Sequence, residues 1–156
     1  MLKIIRNQWD KNREKLEKEI RQLRKIGDLE YADLVKLTFN VLYNDETEEY
    51  GYPYKELDTE HITKIDNGDY QGTLLFVIPF KTYQPCAAEY LMTYVEYGSC
   101  SGCDTLRAIV GWGDDRPTAS QVNDLLKLCE DIFTNTVKPF NFGWRHNELF
   151  EEYEEV

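Results

Sequence analysis

Between Gly98 and Leu106 the chain reads GSCSGCDTL, two thiols three residues apart among small residues and next to an aspartate. Four chemistries compete for it. The first is zinc, since Cys100 and Cys103 have the spacing of a zinc knuckle, but a tetrahedral site needs two further ligands. Cys86 is the nearest in sequence. A straight strand over residues 89 to 97 would hold it about 30 Å from Cys100, at 3.3 Å per residue. Cys129 falls on an apolar stripe, where a buried structural thiol is usual, and His61 or His146 would have to converge through tertiary folding. No metal or cofactor is expected. The second is redox chemistry, in which a thiol before a helix is acidified and its neighbour resolves a mixed disulfide; the parallel strand-helix-strand frame that usually carries such a motif is missing. The third is nucleophilic. Gly98 to Gly102 form a G-x-C-x-G string between strand and helix, an elbow with sulfur for oxygen, for which His61 is the conceivable base. The fourth is an anion cradle of backbone N–H groups at Ser99, Ser101 and Gly102, which Asp104 would oppose.

Against these stands a turn. Gly98 and Gly102 permit a tight reversal, Asp104 or Ser101 caps the following helix, and the small cysteines fill the space beneath. The turn is the favoured reading, with no catalytic residue assigned. Its alternative keeps Cys100 as the reactive thiol with Cys103 or His61 as partner.

The elements that would position this segment follow from periodicity. Ile5, Trp9, Leu16, Ile20 and Leu23 lie at helical spacing, and the intervening Glu14, Glu17, Glu19, Lys15, Lys18 and Arg21 read as a solvated, internally paired face. After Gly27, Asp28 is the expected N-cap of a second helix whose apolar face is Tyr31, Leu34, Val35, Thr38, Val41 and Leu42. Residues 1–44 thus read as a helical hairpin. Residues 43–58, YNDETEEYGYPYKELD, lack a period and read as a loop. Strands are expected at 61–65, 73–80 and 89–97, the first two joined through Asp66, Asn67, Gly68 and Asp69. The second is apolar on both faces, hence central or covered on both sides, with Pro79 near its end. Residues 104–134 should be helical. Thr105 to Val110 form a short helix ending at Gly111, and Thr118 with Gln121 form a capping box before Val122, Leu125, Leu126, Cys129, Ile132 and Phe133. The fold class is α+β: an N-terminal helical hairpin, a three-stranded antiparallel meander within 61–97, and C-terminal helices packed on the sheet. Residues 147–156 are an acidic tail.

Composition narrows the partners. With 156 residues, 42% apolar and 13% aromatic, the chain has the material for one core and one domain. Four cysteines are too few for a disulfide scaffold, so reduced thiols are expected. An apolar run long enough to span a membrane or form a secretory signal is absent, so the protein is expected to be soluble and intracellular, with no membrane partner. Residues 1–25 hold nine Lys or Arg against four Asp or Glu, a charge of +5; the total of −11 therefore leaves −16 on residues 26–156. Such a body repels nucleic acid and attracts basic surfaces.

The stretches YADLVKLTF, IDNGDYQGTLLFVIPFKTYQP, EYLMTYVEYGSCSGCDTLRAI and TNTVKPFNFGWRH together resemble a group of small acidic accessory proteins of tailed bacteriophages that carry a Y-G-S-C-S-G-C-D-T-L string, over most of residues 30–146. The resemblance implies expression in a host bacterial cytoplasm and carries over no catalytic residue. By analogy of size, charge and origin, it implies an inhibitor that occupies a nucleic-acid-binding surface of a host defence effector, CRISPR-Cas being one example. Carboxylates interleaved with tyrosines imitate phosphate charge and add contact area. The expected contacts are Asp45, Glu46, Glu48, Glu49, Tyr50 and Tyr52 in the loop, and Glu151, Glu152, Glu154 and Glu155 in the tail. A homodimer through the basic N-terminal helix is a further expectation.

Overall fold

A computed structural model describes residues 3–44, 56–86, 89–111 and 115–137. Its architecture is α+β: N-terminal helices, a three-stranded antiparallel sheet and C-terminal helices that pack on it. Helix α1 spans Lys3–Arg21 and buries Trp9, Leu16 and Ile20 of the expected stripe. A short 3₁₀ turn, Ile26–Asp28, leads to α2, Tyr31–Phe39. Asp28 does not cap that helix, because the 3₁₀ turn absorbs it. Glu30 takes the cap position, its backbone N–H donating to Asp33 Oδ2 at 2.9 Å in a reciprocal capping box. A π-helical segment, Asn40–Asn44, extends α2, so Tyr43 and Asn44 belong to the helix and not to the loop.

Strands β1 (Thr63–Asp66), β2 (Gly72–Pro79) and β3 (Tyr90–Tyr97) lie in sequence order, with β2 central. Pairs such as Leu75 with Ile65 and with Tyr94 fix the register. Period-two alternation then sends Leu74, Phe76, Ile78, Leu91, Thr93 and Val95 to the buried face. The opposite face is not fully covered: Leu75, Val77 and Met92 are half-buried, and Ile65 and Tyr94 are 48% and 39% exposed. The double-sided apolarity of β2 thus marks its central place, and only one of its faces is core.

Helix α3 spans Thr105–Val110, and Gly111 follows it at φ 59°, a left-handed value that favours glycine. Helix α4 spans Ala119–Thr134 behind its Thr118–Gln121 capping box and packs against α1, α2 and β3. Phe133 meets Phe39 edge to face at 5.6 Å, and Thr93 Oγ1 on β3 donates to the Ile132 carbonyl at 2.5 Å. With Leu125 and Cys129 fully buried between them, these contacts join the helices and the sheet in one core. Among the described residues, no helix is long and apolar enough to cross a membrane.

Candidate functional site

The turn after β3 is built by one buried carboxylate. Asp104, only 5% exposed, N-caps α3 by accepting from Arg107 N–H at 2.8 Å through Oδ1. Its Oδ2 accepts from Gly98 N–H at 3.1 Å and from the Tyr31 hydroxyl at 3.2 Å. The same Tyr31 hydroxyl accepts from Leu106 N–H at 3.2 Å, which fixes α2 to the start of α3. Burial is the main reason the Tyr31 phenol is pushed up to about 12, so it stays a neutral donor. Of the two cap candidates, Asp104 fills the role and Ser101 stays exposed.

The two glycines differ. A Cβ on Gly98 would lie 2.4 Å from the Cys103 carbonyl oxygen, so no side chain fits there. Gly102 has no such constraint, since its nearest neighbour would be Cys100 Sγ at 3.8 Å. Gly98 alone is required by the fold of the turn.

Both thiols stand on the outside of this clamped turn. Cys103 N–H and Asp104 N–H donate to the Cys100 carbonyl at 3.0 and 2.8 Å, closing a reversal that brings the two sulfurs to 2.9 Å. Cys103 Sγ also accepts from Cys100 N–H at 3.1 Å and lies 3.6 Å from Ser99 Oγ. Contact with the Cys100 thiol, then with the Ser99 hydroxyl and the Cys100 backbone, draws Cys103 down to about 7. The sequence reading made Cys100 the reactive thiol; the hydrogen bonds converge on Cys103. The cause is the set of contacts made within the turn, and the N-terminus of α3 is occupied by the Asp104 carboxylate.

That occupancy also bears on the anion cradle. The Gly98, Cys100, Cys103 and Asp104 N–H groups are spent inside the turn, and Asp104 holds the end of α3. Ser99, Ser101 and Gly102 remain as exposed residues around a site already filled by a carboxylate.

His61 cannot serve Cys100. It lies just before β1, 78% exposed, with Nδ1 2.7 Å from Asp58 Oδ2. Antiparallel register sets Thr63 level with Val77 and Met92, whereas the turn follows Tyr97. His61 and the thiols are therefore at opposite ends of the sheet, with roughly 17 Å of β3 between their rows at about 3.3 Å per residue. Cys86 also precedes β3, and Cys129 is buried in α4. Among the described residues, no three His, Cys, Asp or Glu side chains gather as a metal site.

The expected interface residues Asp45, Glu46, Glu48, Glu49, Tyr50 and Tyr52, and the tail residues Glu151, Glu152, Glu154 and Glu155, lie outside the described residues, as does His146. The flanks of the acidic segment are held side by side, since Asn44 donates through Nδ2 to the Leu57 carbonyl at 2.9 Å and accepts from Leu57 N–H at 2.8 Å. Tyr31 was missed as part of a site. Its spacing marks an apolar helix face, and nothing in the sequence indicates a hydroxyl paired with a residue more than seventy positions away. No family model, curated protein or solved structure matches this chain, which leaves its own geometry and charge to speak for its function.

Proposed function

We propose that this protein is a phage-encoded binding protein that inhibits a host nucleic-acid-directed defence effector, such as a CRISPR-Cas complex, by occupying a basic surface, a role that needs no catalysis. The observation that carries the reading is an apolar sheet face left partly open, with Ile65 and Tyr94 exposed, on an acidic body. Ile65, Leu75, Val77, Met92 and Tyr94 share that face, with the exposed Glu96 at its end and Val137 bridged to Met92 at its edge. Apolar area of this kind, including a tyrosine and ending at an exposed glutamate, suits protein contact. The charge of −16 on residues 26–156 supplies long-range attraction to rows of Arg and Lys that otherwise grip phosphate. The loop acids Asp45, Glu46, Glu48 and Glu49 and the tail acids Glu151, Glu152, Glu154 and Glu155 are among the charges that make up that total.

The test is phage plating on a bacterial host carrying an active defence system, with and without this protein, followed by binding of the purified effector at two salt concentrations. Restored plating and salt-sensitive binding are the expected results. Failure to protect phage against any nucleic-acid-directed system overturns the reading. Charge reversal at Asp45, Glu46, Glu48 and Glu49 that leaves inhibition unchanged removes that loop as the interface. Light scattering in the same buffers separates partner binding from self-association through the basic helix.

A further inference from the structure

We propose that Cys100 and Cys103 form a site for thiol–disulfide exchange whose substrates are exposed disulfides. Three observations carry this. The sulfurs are 2.9 Å apart, as close as reacting atoms held at about 3–3.5 Å in a near-attack geometry. The Cys103 N–H donates to the Cys100 carbonyl, closing a turn of a kind whose end Cα atoms lie within about 7 Å, close to the roughly 4.4–6.8 Å that a disulfide spans. Both thiols are exposed, so neither is the buried filler that a structural cysteine usually is.

The clamp beneath the turn supports the same assignment. Asp104 holds Gly98, Arg107 and Tyr31 through its own carboxylate, and none of those bonds involves a sulfur. The dithiol can open and close on a base that does not depend on it. Cys103, drawn down to about 7, is the attacking group, since an attacking thiol works best when its pKa is near the ambient pH.

The step balances as follows. The Cys103 thiolate attacks one sulfur of a disulfide R–S–S–R; that bond breaks, one thiolate leaves and takes a proton from water, and Cys103 carries the other half as a mixed disulfide. Cys100 then gives its proton to water and attacks Cys103 Sγ, expelling the second thiolate, which takes a proton from water. The two cysteines are oxidised by two electrons, and the substrate is reduced to two thiols. Nothing in this requires a base from elsewhere in the fold, which fits the remoteness of His61.

The experiment uses the whole chain at neutral pH with glutathione disulfide in one arm and, in the other, insulin with a dithiol reductant. Peptide mapping by mass spectrometry should find a Cys100–Cys103 disulfide without a lasting glutathione adduct on either residue. In Cys100→Ser the adduct should persist on Cys103. In the wild-type chain, where the Cys100 thiol is present to lower Cys103, Cys103 should be oxidised about threefold faster than the exposed Cys86 takes up glutathione, the gain in thiolate being partly offset by lower nucleophilicity. Both substitutions are on an exposed turn, and circular dichroism checks that the fold is kept. Acceleration of insulin reduction by the wild-type chain but not by Cys103→Ser assigns protein disulfides as the substrate; exchange with glutathione disulfide alone assigns small-molecule disulfides. If glutathione disulfide yields no Cys100–Cys103 disulfide and insulin reduction is not accelerated, or if Cys103 reacts no faster than Cys86, the proposal is overturned. Loss of exchange leaves partner binding untouched, so the outcome is separate from that of the inhibitor reading.

Discussion

The turn after β3 and the middle of α4 each present a free cysteine, and the two surroundings drive the same side chain in opposite directions. Cys103 is exposed, accepts a backbone N–H and touches a hydroxyl and a second thiol, and is drawn down to about 7. Cys129 has no exposed surface; burial pushes its thiol up to about 12, only partly opposed by the Thr38 hydroxyl on α2. Water and polar contacts favour the thiolate, whereas a close-packed interior penalises it. One thiol is available for chemistry, and the other serves as a small apolar filler.

The sharpest test of this contrast is alkylation of the native protein. Cys103 should be modified more than about a thousandfold faster than Cys129 at neutral pH, since Cys129 needs both ionisation and local opening. Because the thiolate is the reactive form, the Cys103 rate should rise with pH through about 7 and level off above it, where an ordinary thiol of pKa about 8.5 is still gaining. A Cys103 profile with the ordinary midpoint would break the comparison. Resolution by site through mass spectrometry keeps Cys86 and Cys100 out of the reading.

Next in size is Asp104→Ala, which removes the α3 cap and strands the Gly98 N–H and Tyr31 hydroxyl. Urea unfolding should report a loss of about 3 kcal/mol. The third is Gly98→Ala, whose Cβ would press on the Cys103 carbonyl. It should cost about 2 kcal/mol and slow Cys103 alkylation, since the hydrogen bonds to its sulfur shift with the turn. Tyr31→Phe leaves Leu106 N–H and Asp104 Oδ2 each short of a partner and should cost about 1 kcal/mol, without changing the alkylation profile. The smallest effect belongs to Gly102→Ala, where the nearest atom would be 3.8 Å away; a change within about 0.5 kcal/mol is expected. Equal losses at Gly98 and Gly102 would contradict the assignment of the turn's constraint to Gly98.

The covered and open faces of the sheet offer a second comparison. Phe76 and Ile78 are buried in the core that the helices share with the sheet, while Leu75 and Val77, next to them in sequence, lie on the other face and are half-buried. All four are apolar, so the run alone does not say which pair is core. The helices' packing on one side decides that, and it leaves the other side half-buried.

Much of the fold was legible in the sequence because it rests on local physics. The three-stranded order, α3 with Gly111 behind it and the Thr118–Gln121 capping box follow from periodicity, glycine and side chains that reach only a few residues. The Asp28 cap was misread, since a 3₁₀ turn and a Glu30–Asp33 box compete for the same few positions with similar energies.

By itself the sequence determined that two thiols occupy a small-residue turn between a strand and a helix, that Asp104 was a candidate cap, and that residues 26–156 carry −16. The structure decided which way the thiol contacts run, because the turn, although local, leaves open in the sequence which sulfur meets the other thiol, the Ser99 hydroxyl and the Cys100 N–H. It also decided that His61 lies at the far end of the sheet and that Tyr31 on α2 closes the network under the turn. Spacing along a chain fixes what a residue can reach within a few positions; antiparallel register and helix packing fix what it meets beyond them.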